Sequence, residues 1–338
     1  MKSISIFFAL IILALCFSSC RQNTSSASLK DTGQAAALAS WAETPCQVIE
    51  SWVKAVTDTA SPDFIPEADR IAVFDNDGTL WPEQPVPAQM LFAIDYLKAR
   101  AAENPAWQKD PVLKTILNEG IGSLGKLDEA GLVKVMAVSH SGITEQQFSE
   151  AANRWISTAL HPKFGKPFKQ VVYQPMIELL QYLRDNDFKT FIVSGGGADF
   201  MRPWAEEVYG IPPYQVVGSY NEVVYELRDG KPVIMKVAGK PFLDDAAAKP
   251  VAIHRFIGKM PVFCGGNSDG DQAMMQYTSG SKYKSLCVLL HHTDSIREYA
   301  YDLKTLSGHL ETALAEAKQK NWLVIDMQKD FKKIFSFE

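Results

Sequence analysis

Ile71-Ala72-Val73-Phe74-Asp75-Asn76-Asp77-Gly78-Thr79-Leu80-Trp81 decides how this 338-residue chain is read. Four apolar, mostly β-prone residues read as a buried strand. The strand ends in two carboxylates one residue apart. A glycine then permits a sharp turn and a close approach to a ligand. At the carboxyl end of a parallel strand, Asp75 and Asp77 would reach the crevice where open α/β sheets bind ligands. Side chains at i and i+2 share a face in extended geometry, so one carboxylate is placed to attack and the other to move protons. A polar Asx-type turn is the plain alternative for these residues. Three later stretches weigh against it.

The first is Lys189-Thr190-Phe191-Ile192-Val193, a β-prone run that ends in Ser194-Gly195-Gly196-Gly197. Glycine-rich backbone at a strand end points N–H groups at phosphate oxygens, and a following helix adds its positive end. The second is a lysine. A helix over residues 248–257 opens with Lys249 beside Pro250, which suits a first turn. From there Lys249 would reach over the sheet edge toward an anion, with Lys240 as the competing candidate. The third is Pro261-Val262-Phe263-Cys264-Gly265-Gly266-Asn267-Ser268-Asp269-Gly270-Asp271. It is a β-prone run ending in an oxygen-rich turn, and Asn267, Asp269 and Asp271 offer hard ligands that suit Mg²⁺ better than zinc.

Together these four stretches resemble the haloacid dehalogenase superfamily, and within it the phosphoserine-phosphatase-like branch. The likeness rests on Asp75-x-Asp77-Gly-Thr79, Ser194-Gly-Gly, Lys249 and Gly266-Asn267-Ser268-x-Gly-Asp271. Phe-Asp-Asn-Asp-Gly-Thr-Leu-Trp, Ser-Gly-Gly-Gly and Gly-Asn-Ser-Asp-Gly-Asp are similar to those of one bacterial subgroup. So are the stretch from His291 to Asp302 and the tail over residues 322–335. The resemblance implies a Rossmann-like parallel sheet with an inserted helical cap, and Mg²⁺-dependent hydrolysis of a small phosphomonoester through an aspartyl-phosphate. It makes Asp75 the nucleophile and Asp77 the general acid–base. Ser194, Gly195 and Lys249 would bind phosphate. The metal would be held by Asp75, Asp77 through its main-chain carbonyl, Asn267 and Asp271, with Asp269 one step behind. Relatives commonly carry Asp where this chain has Asn267, whose amide oxygen brings no charge. True dehalogenases lack the second catalytic acid, so Asp77 favours phosphoryl chemistry over carbon–halogen cleavage. A phosphotransferase that passes the phosphoryl group to an alcohol, and a non-catalytic lipoprotein that binds a phosphorylated ligand, are the alternatives.

More than a hundred residues separate the first two motifs. Residues 87–103, 111–118, 127–139 and 144–160 carry helical apolar spacing, punctuated by Gly120, Gly122, Gly125 and Gly142. The block is too long for a loop in a compact domain. It reads as a cap over residues 82–170, set into a core of residues 31–81 and 171–338. Residues 215–220, 222–227 and 233–236 read as a small antiparallel excursion, with Asp229-Gly230 as a hairpin turn. Residues 284–290 read as a fifth core strand and 310–320 as a helix. Glu83, Trp81 and Arg202 are candidate substrate contacts, each set against a plain structural role. His140 is placed to reach down from the cap, and His291-His292 to end the fifth strand.

Residues 6–17 form an apolar run after Lys2, shorter than the roughly 20 residues of a membrane span. The run fits the core of a secretory signal. It ends at Phe17-Ser18-Ser19-Cys20, which resembles a bacterial lipoprotein processing site. That implies a signal peptide over residues 1–20, lipidation of Cys20, a tether over residues 21–30 and a membrane-anchored protein of the cell envelope. Cys46, Cys264 and Cys287 remain beyond it, an odd number without a disulfide framework. Cys264 and Cys287 sit in apolar runs and read as buried small hydrophobes. A formal charge of −5 gives no electrostatic case for a nucleic-acid partner.

Overall fold

The computed structural model describes residues 37–305 and 307–338. The leader, Cys20, the tether and the start of the expected core lie outside the described residues.

The core is a six-stranded sheet in the order β4-β3-β1-β7-β8-β9. Its strands are β1 (Ile71–Phe74), β3 (Lys189–Gly197), β4 (Val216–Ser219), β7 (Phe263–Gly266), β8 (Leu286–His291) and β9 (Leu323–Asp326). Every pairing in it is parallel. β1 lies in the middle, and all four of its residues are buried. Alternate side chains leave a strand on opposite faces. Ala72 and Phe74 accordingly join one apolar cluster with Trp52 and Phe263, while Ile71 and Val73 join the other with Cys264, Cys287 and Met274.

Helices cover both faces. α1 (Glu43–Thr57) places Ile49, Trp52, Val53 and Val56 on one buried stripe. The block between β1 and β3 holds α2 (Ala88–Arg100), α3 (Pro111–Glu119), α4 (Glu129–Ser139) and α5 (Glu145–Thr158), matching the four helices expected for the cap. Local chemistry starts them. The Asp110 carboxylate accepts from the Val112 and Leu113 N–H groups ahead of α3, and Thr144 and Gln147 form a capping box on α5. α6 (Gln174–Asp185) leads into β3, and α7 (Ala198–Tyr209) leaves it. α8 (Ala248–Ala252) is followed by a π turn over Ile253–Ile257 rather than by one continuous helix. α9 (Gln272–Ser279), α10 (Thr312–Lys320) and α11 (Met327–Asp330) complete the core.

One expected strand changes place. Residues 215–220 do not belong to the antiparallel excursion. Val216–Ser219 is β4, an edge strand of the parallel sheet. The excursion is the hairpin β5 (Val223–Arg228) and β6 (Lys231–Lys236), and β6 also pairs with β2 (Ile143–Thr144) from the cap block. Two separate insertions therefore share a three-stranded sheet. Cys46, Cys264 and Cys287 are free, and the last two are register partners on β7 and β8.

Candidate active site

The carboxyl ends of β1, β3 and β7 lie side by side, and each delivers one motif. Asp75 follows β1 directly, and its N–H donates to the Gly265 carbonyl of β7 at 3.0 Å. Lys249, in the first turn of α8, is buried. Its Nζ donates to Asp75 Oδ1 at 2.7 Å and to Asp271 Oδ1 at 2.6 Å. Lys240, the competing candidate, is exposed. Burial alone would push the Lys249 ammonium down, but the Asp271 and Asp75 charges outweigh it and hold it above its ordinary value. Burial pushes the Asp75 carboxyl well up. Lys249 pulls it back, and the charges of Asp271 and Asp77 add to the rise.

Asp77 shares the cleft with Asp75. Burial raises its carboxyl to about 6, against the pull of the Trp81 hydrogen bond and of Lys249. An acid in that range holds or releases a proton near neutrality. Trp81, a candidate for either substrate contact or plain packing, is buried against Trp204 and Phe168. Its Nε1 donates to Asp77 Oδ1 at 2.7 Å, so it orients the acid from behind. Gly78 has φ +78°, and a Cβ there would stand 2.1 Å from Asn267 Nδ2. Only glycine fits both that conformation and that approach.

On the β3 side, the Ser194 hydroxyl accepts from Gly196 N–H at 3.0 Å. The glycines lie in a register shift between β3 and β4 rather than in a free loop. Gln89, from α2, places its Oε1 on Gly197 N–H at 2.7 Å, and its Nε2 meets His140 Nε2 at 2.9 Å. His140 does reach down from the cap, but to Gln89. Burial drops it to about 3, so it is neutral. The cleft measures about 490 Å³ and brings together Asp75, Asp77, Ser194, Gly195 and Lys249. A second pocket of about 200 Å³ borders it beneath α4, sharing Gln89, Leu132, Met136 and Gly195.

The fourth motif divides its labour. Asp271 Oδ2 accepts from Asn267 N–H at 2.9 Å and Ser268 N–H at 3.0 Å, and Oδ1 is held by Lys249. Both oxygens of Asp271, expected as a direct metal ligand, are therefore engaged by Lys249 and the main chain. Asp269 is committed elsewhere too. Its carboxylate caps α10, accepting from the Glu311, Thr312 and Ala313 N–H groups. Asp75, the Asp77 carbonyl and the Asn267 amide oxygen remain as donors for a cation. They fit Mg²⁺ on two counts: all are hard oxygens, and Asp75, Asp77 and Asp271 outnumber the single Lys249 ammonium. No group of three His, Cys, Asp or Glu side chains forms a metal site by itself among the described residues. A cation here would draw on main-chain and amide oxygens.

Arg202, a third candidate contact, faces away. It is exposed on α7 and bonds Asp199 and the Val216 carbonyl at the sheet edge, outside the cleft. Glu83 lines the cleft, but its Oε1 accepts from Asn267 Nδ2 at 2.7 Å and Tyr301 OH at 2.8 Å. Burial pushes its carboxyl up to about 7. His291 ends β8 as expected. His292 was not expected in the site. Its Nε2 faces the Gly78 carbonyl at 2.7 Å and its ring stacks on Tyr301, so it props the turn that carries Asp77. Gln89 and Tyr301 were missed as well, and no local pattern announces either.

No curated protein matches this chain by sequence. Among solved structures, a conserved protein of unknown function from Anaerococcus prevotii DSM 20548 is 15% identical, with a TM-score of 0.53, over 83% of this chain and 90% of that one. A protein of unknown function from Bordetella pertussis Tohama I is 14% identical, with a TM-score of 0.46, over 76% and 98%. A phosphoserine phosphohydrolase-like protein from Francisella tularensis subsp. tularensis SCHU S4 is 18% identical, with a TM-score of 0.36, over 74% and 98%. The model of haloacid dehalogenase-like hydrolases matches residues 72–276, from the strand before Asp75 to the helix after Asp271. The chain belongs to the haloacid dehalogenase-like hydrolase family.

Proposed function

We propose that this hydrolase is an Mg²⁺-dependent phosphatase of small phosphomonoesters that works through an aspartyl-phosphate on Asp75. The observation that carries the reading is the Asp75–Lys249–Asp271 ion triad at the end of β1, with Asp77 in the same cleft. Lys249 holds Asp75 Oδ1 and favours its ionised form against the burial that opposes it, which leaves Oδ2 to attack phosphorus. The P–O bond to the leaving group breaks, and the Asp77 carboxyl gives that oxygen its proton. Asp77 then takes a proton from water. The water oxygen attacks phosphorus, and inorganic phosphate leaves as Asp75 regains its carboxylate. Ser194 and Lys249 stabilise the equatorial phosphate oxygens. Mg²⁺, held by Asp75, the Asp77 carbonyl and Asn267, would offset the repulsion between the carboxylate and the phosphate.

A panel of small phosphomonoesters assayed with Mg²⁺ and after chelation tests this. Phosphate release that requires Mg²⁺ is expected, and no release from any ester would overturn it. Including an alcohol acceptor separates transfer from hydrolysis. Asp77→Asn is expected to slow hydrolysis of an alkyl phosphate by about 10²–10⁴-fold. It should slow p-nitrophenyl phosphate far less, because that leaving group needs no proton. Equal losses on both would count against Asp77 as the acid.

We further propose export and anchoring at Cys20. Ser18-Ser19-Cys20 after a short apolar run supports it. Each buried CH₂ of an acyl chain contributes about 0.8 kcal/mol, so a multiply acylated cysteine holds firmly. Cys20→Ala should release the protein from membranes or leave it unprocessed, with turnover unchanged. Wild-type protein that is soluble and retains residues 1–19 would rule the anchor out.

A further inference from the structure

Position 267 departs from the family pattern: an amide stands where an acid would bring a charge. The structure puts an acid directly beside it. Glu83 follows the β1 turn and is buried. Its Oε1 accepts from Asn267 Nδ2 at 2.7 Å and from Tyr301 OH at 2.8 Å. On the other side of the amide, Thr79 Oγ1 donates to Asn267 Oδ1 at 3.1 Å. A carboxylate only accepts, and the Thr79 hydroxyl is placed to donate, so the two neighbours leave the amide a single orientation.

The converse holds too. With a carboxylate at position 267, an oxygen would stand where Nδ2 now lies, in contact with Glu83 Oε1. Two anions would then face each other without a proton between them. Asn267 and Glu83 therefore fit as a pair, and neither substitutes freely while the other is present. The space for Glu83 is also reserved. A Cβ on Gly78 would lie 2.3 Å from Oε1, and one on Gly308 2.1 Å from it.

We infer that Glu83 holds the Asn267 amide with its oxygen toward Thr79 and a second lone pair left for the cation, and that its ionised form, which a bound cation favours, supplies the negative charge that position 267 lacks. It is a positioning residue, because its Oε1 is committed to the Asn267 amide and the Tyr301 hydroxyl. The inference rests on the Mg²⁺-dependent reading of the site.

Titration of the full-length chain with Mg²⁺ alone, followed by calorimetry, tests it without turnover. Glu83→Gln keeps the shape and removes the charge. It is expected to weaken Mg²⁺ binding at least tenfold while circular dichroism and the unfolding midpoint stay near wild type. Restoring the charge at the other position, Glu83→Gln with Asn267→Asp, is expected to bring the Mg²⁺ Kd back to within about threefold of wild type. Unchanged binding in Glu83→Gln would overturn the inference and leave the metal reading standing. A double variant no tighter than Glu83→Gln would do the same. If Glu83→Gln does not fold, the double variant decides: a folded protein with wild-type affinity supports the pairing, and anything less overturns it. A wild type that binds no Mg²⁺ would remove the metal reading itself, and the inference with it.

Discussion

Asp75→Asn is expected to abolish phosphate release while leaving the fold intact. The change is nearly isosteric, but an amide is not a nucleophile toward phosphorus, so the covalent route closes at its first step. Stability should not fall. The Asp75 carboxylate is buried, and desolvation opposes its ionisation. Lys249 would keep Asp271 as its counter-ion and could still donate to the amide oxygen. The measurement is phosphate release from a saturating ester, paired with an unfolding curve. Activity near the wild-type rate in clean protein would end the assignment of Asp75. Lost activity with a collapsed unfolding curve would show only that the strand end had been disrupted.

Lys249→Met is expected to fail for a different reason. It removes the one ammonium held between Asp75 and Asp271, and both carboxylates are buried. Breaking a buried ion pair from one side leaves an uncompensated charge, a loss of about 3–5 kcal/mol. Native stability is typically only about 5–15 kcal/mol, so the variant should unfold at much lower denaturant and turn over nothing. Adding Asp75→Asn to Lys249→Met should recover part of the stability, since one orphaned carboxylate disappears, but none of the activity. Denaturant midpoints for the single and double variants check this. A stability loss below about 1 kcal/mol for Lys249→Met alone, taken from the midpoint and slope, would mean that the two carboxylates are not held as described.

The strand ends were readable because their signals are local. β1 runs straight into Asp75, β3 into Ser194 and β7 into Asn267, and in each case a few consecutive residues carry both the strand and its chemistry. Lys249 was readable by its place in a helix start. The partners that aim these groups were not. Trp81 bonds Asp77 four residues away, yet nothing in a tryptophan's sequence position says whether its indole faces solvent or a buried acid. Glu83 meets Asn267 and Tyr301 across 184 and 218 residues of chain. His292 reaches Gly78 across 214. Such contacts depend on how the sheet is ordered, which spacing does not report. β4 was misplaced because a short apolar strand looks alike at a sheet edge and in a hairpin. A Cβ on its Gly218 would stand 2.6 Å from the Gly196 carbonyl, and that contact marks it as a core strand only once β3 is in place. The helices of the block between β1 and β3 show the opposite case: their apolar spacing is local, and α2 to α5 lie on the stretches where it was read.

The sheet shared by the two insertions joins stretches of chain that leave the core at different points. The helical block leaves the core after β1, and the β5–β6 hairpin leaves it after β4. β2 and β6 join them at Ile143–Lys236 and Thr144–Met235. Lys236 adds an ion pair to Asp199 on α7 and lies 4.7 Å from the Phe148 ring of α5. Residues 143–144 and 223–236 are therefore one piece of sheet built from two distant stretches of chain, and Lys236 rivets that piece to α7 of the core. A substitution on the outer hairpin that breaks the β2–β6 pairs loosens the helical block as well, although the two lie far apart in sequence.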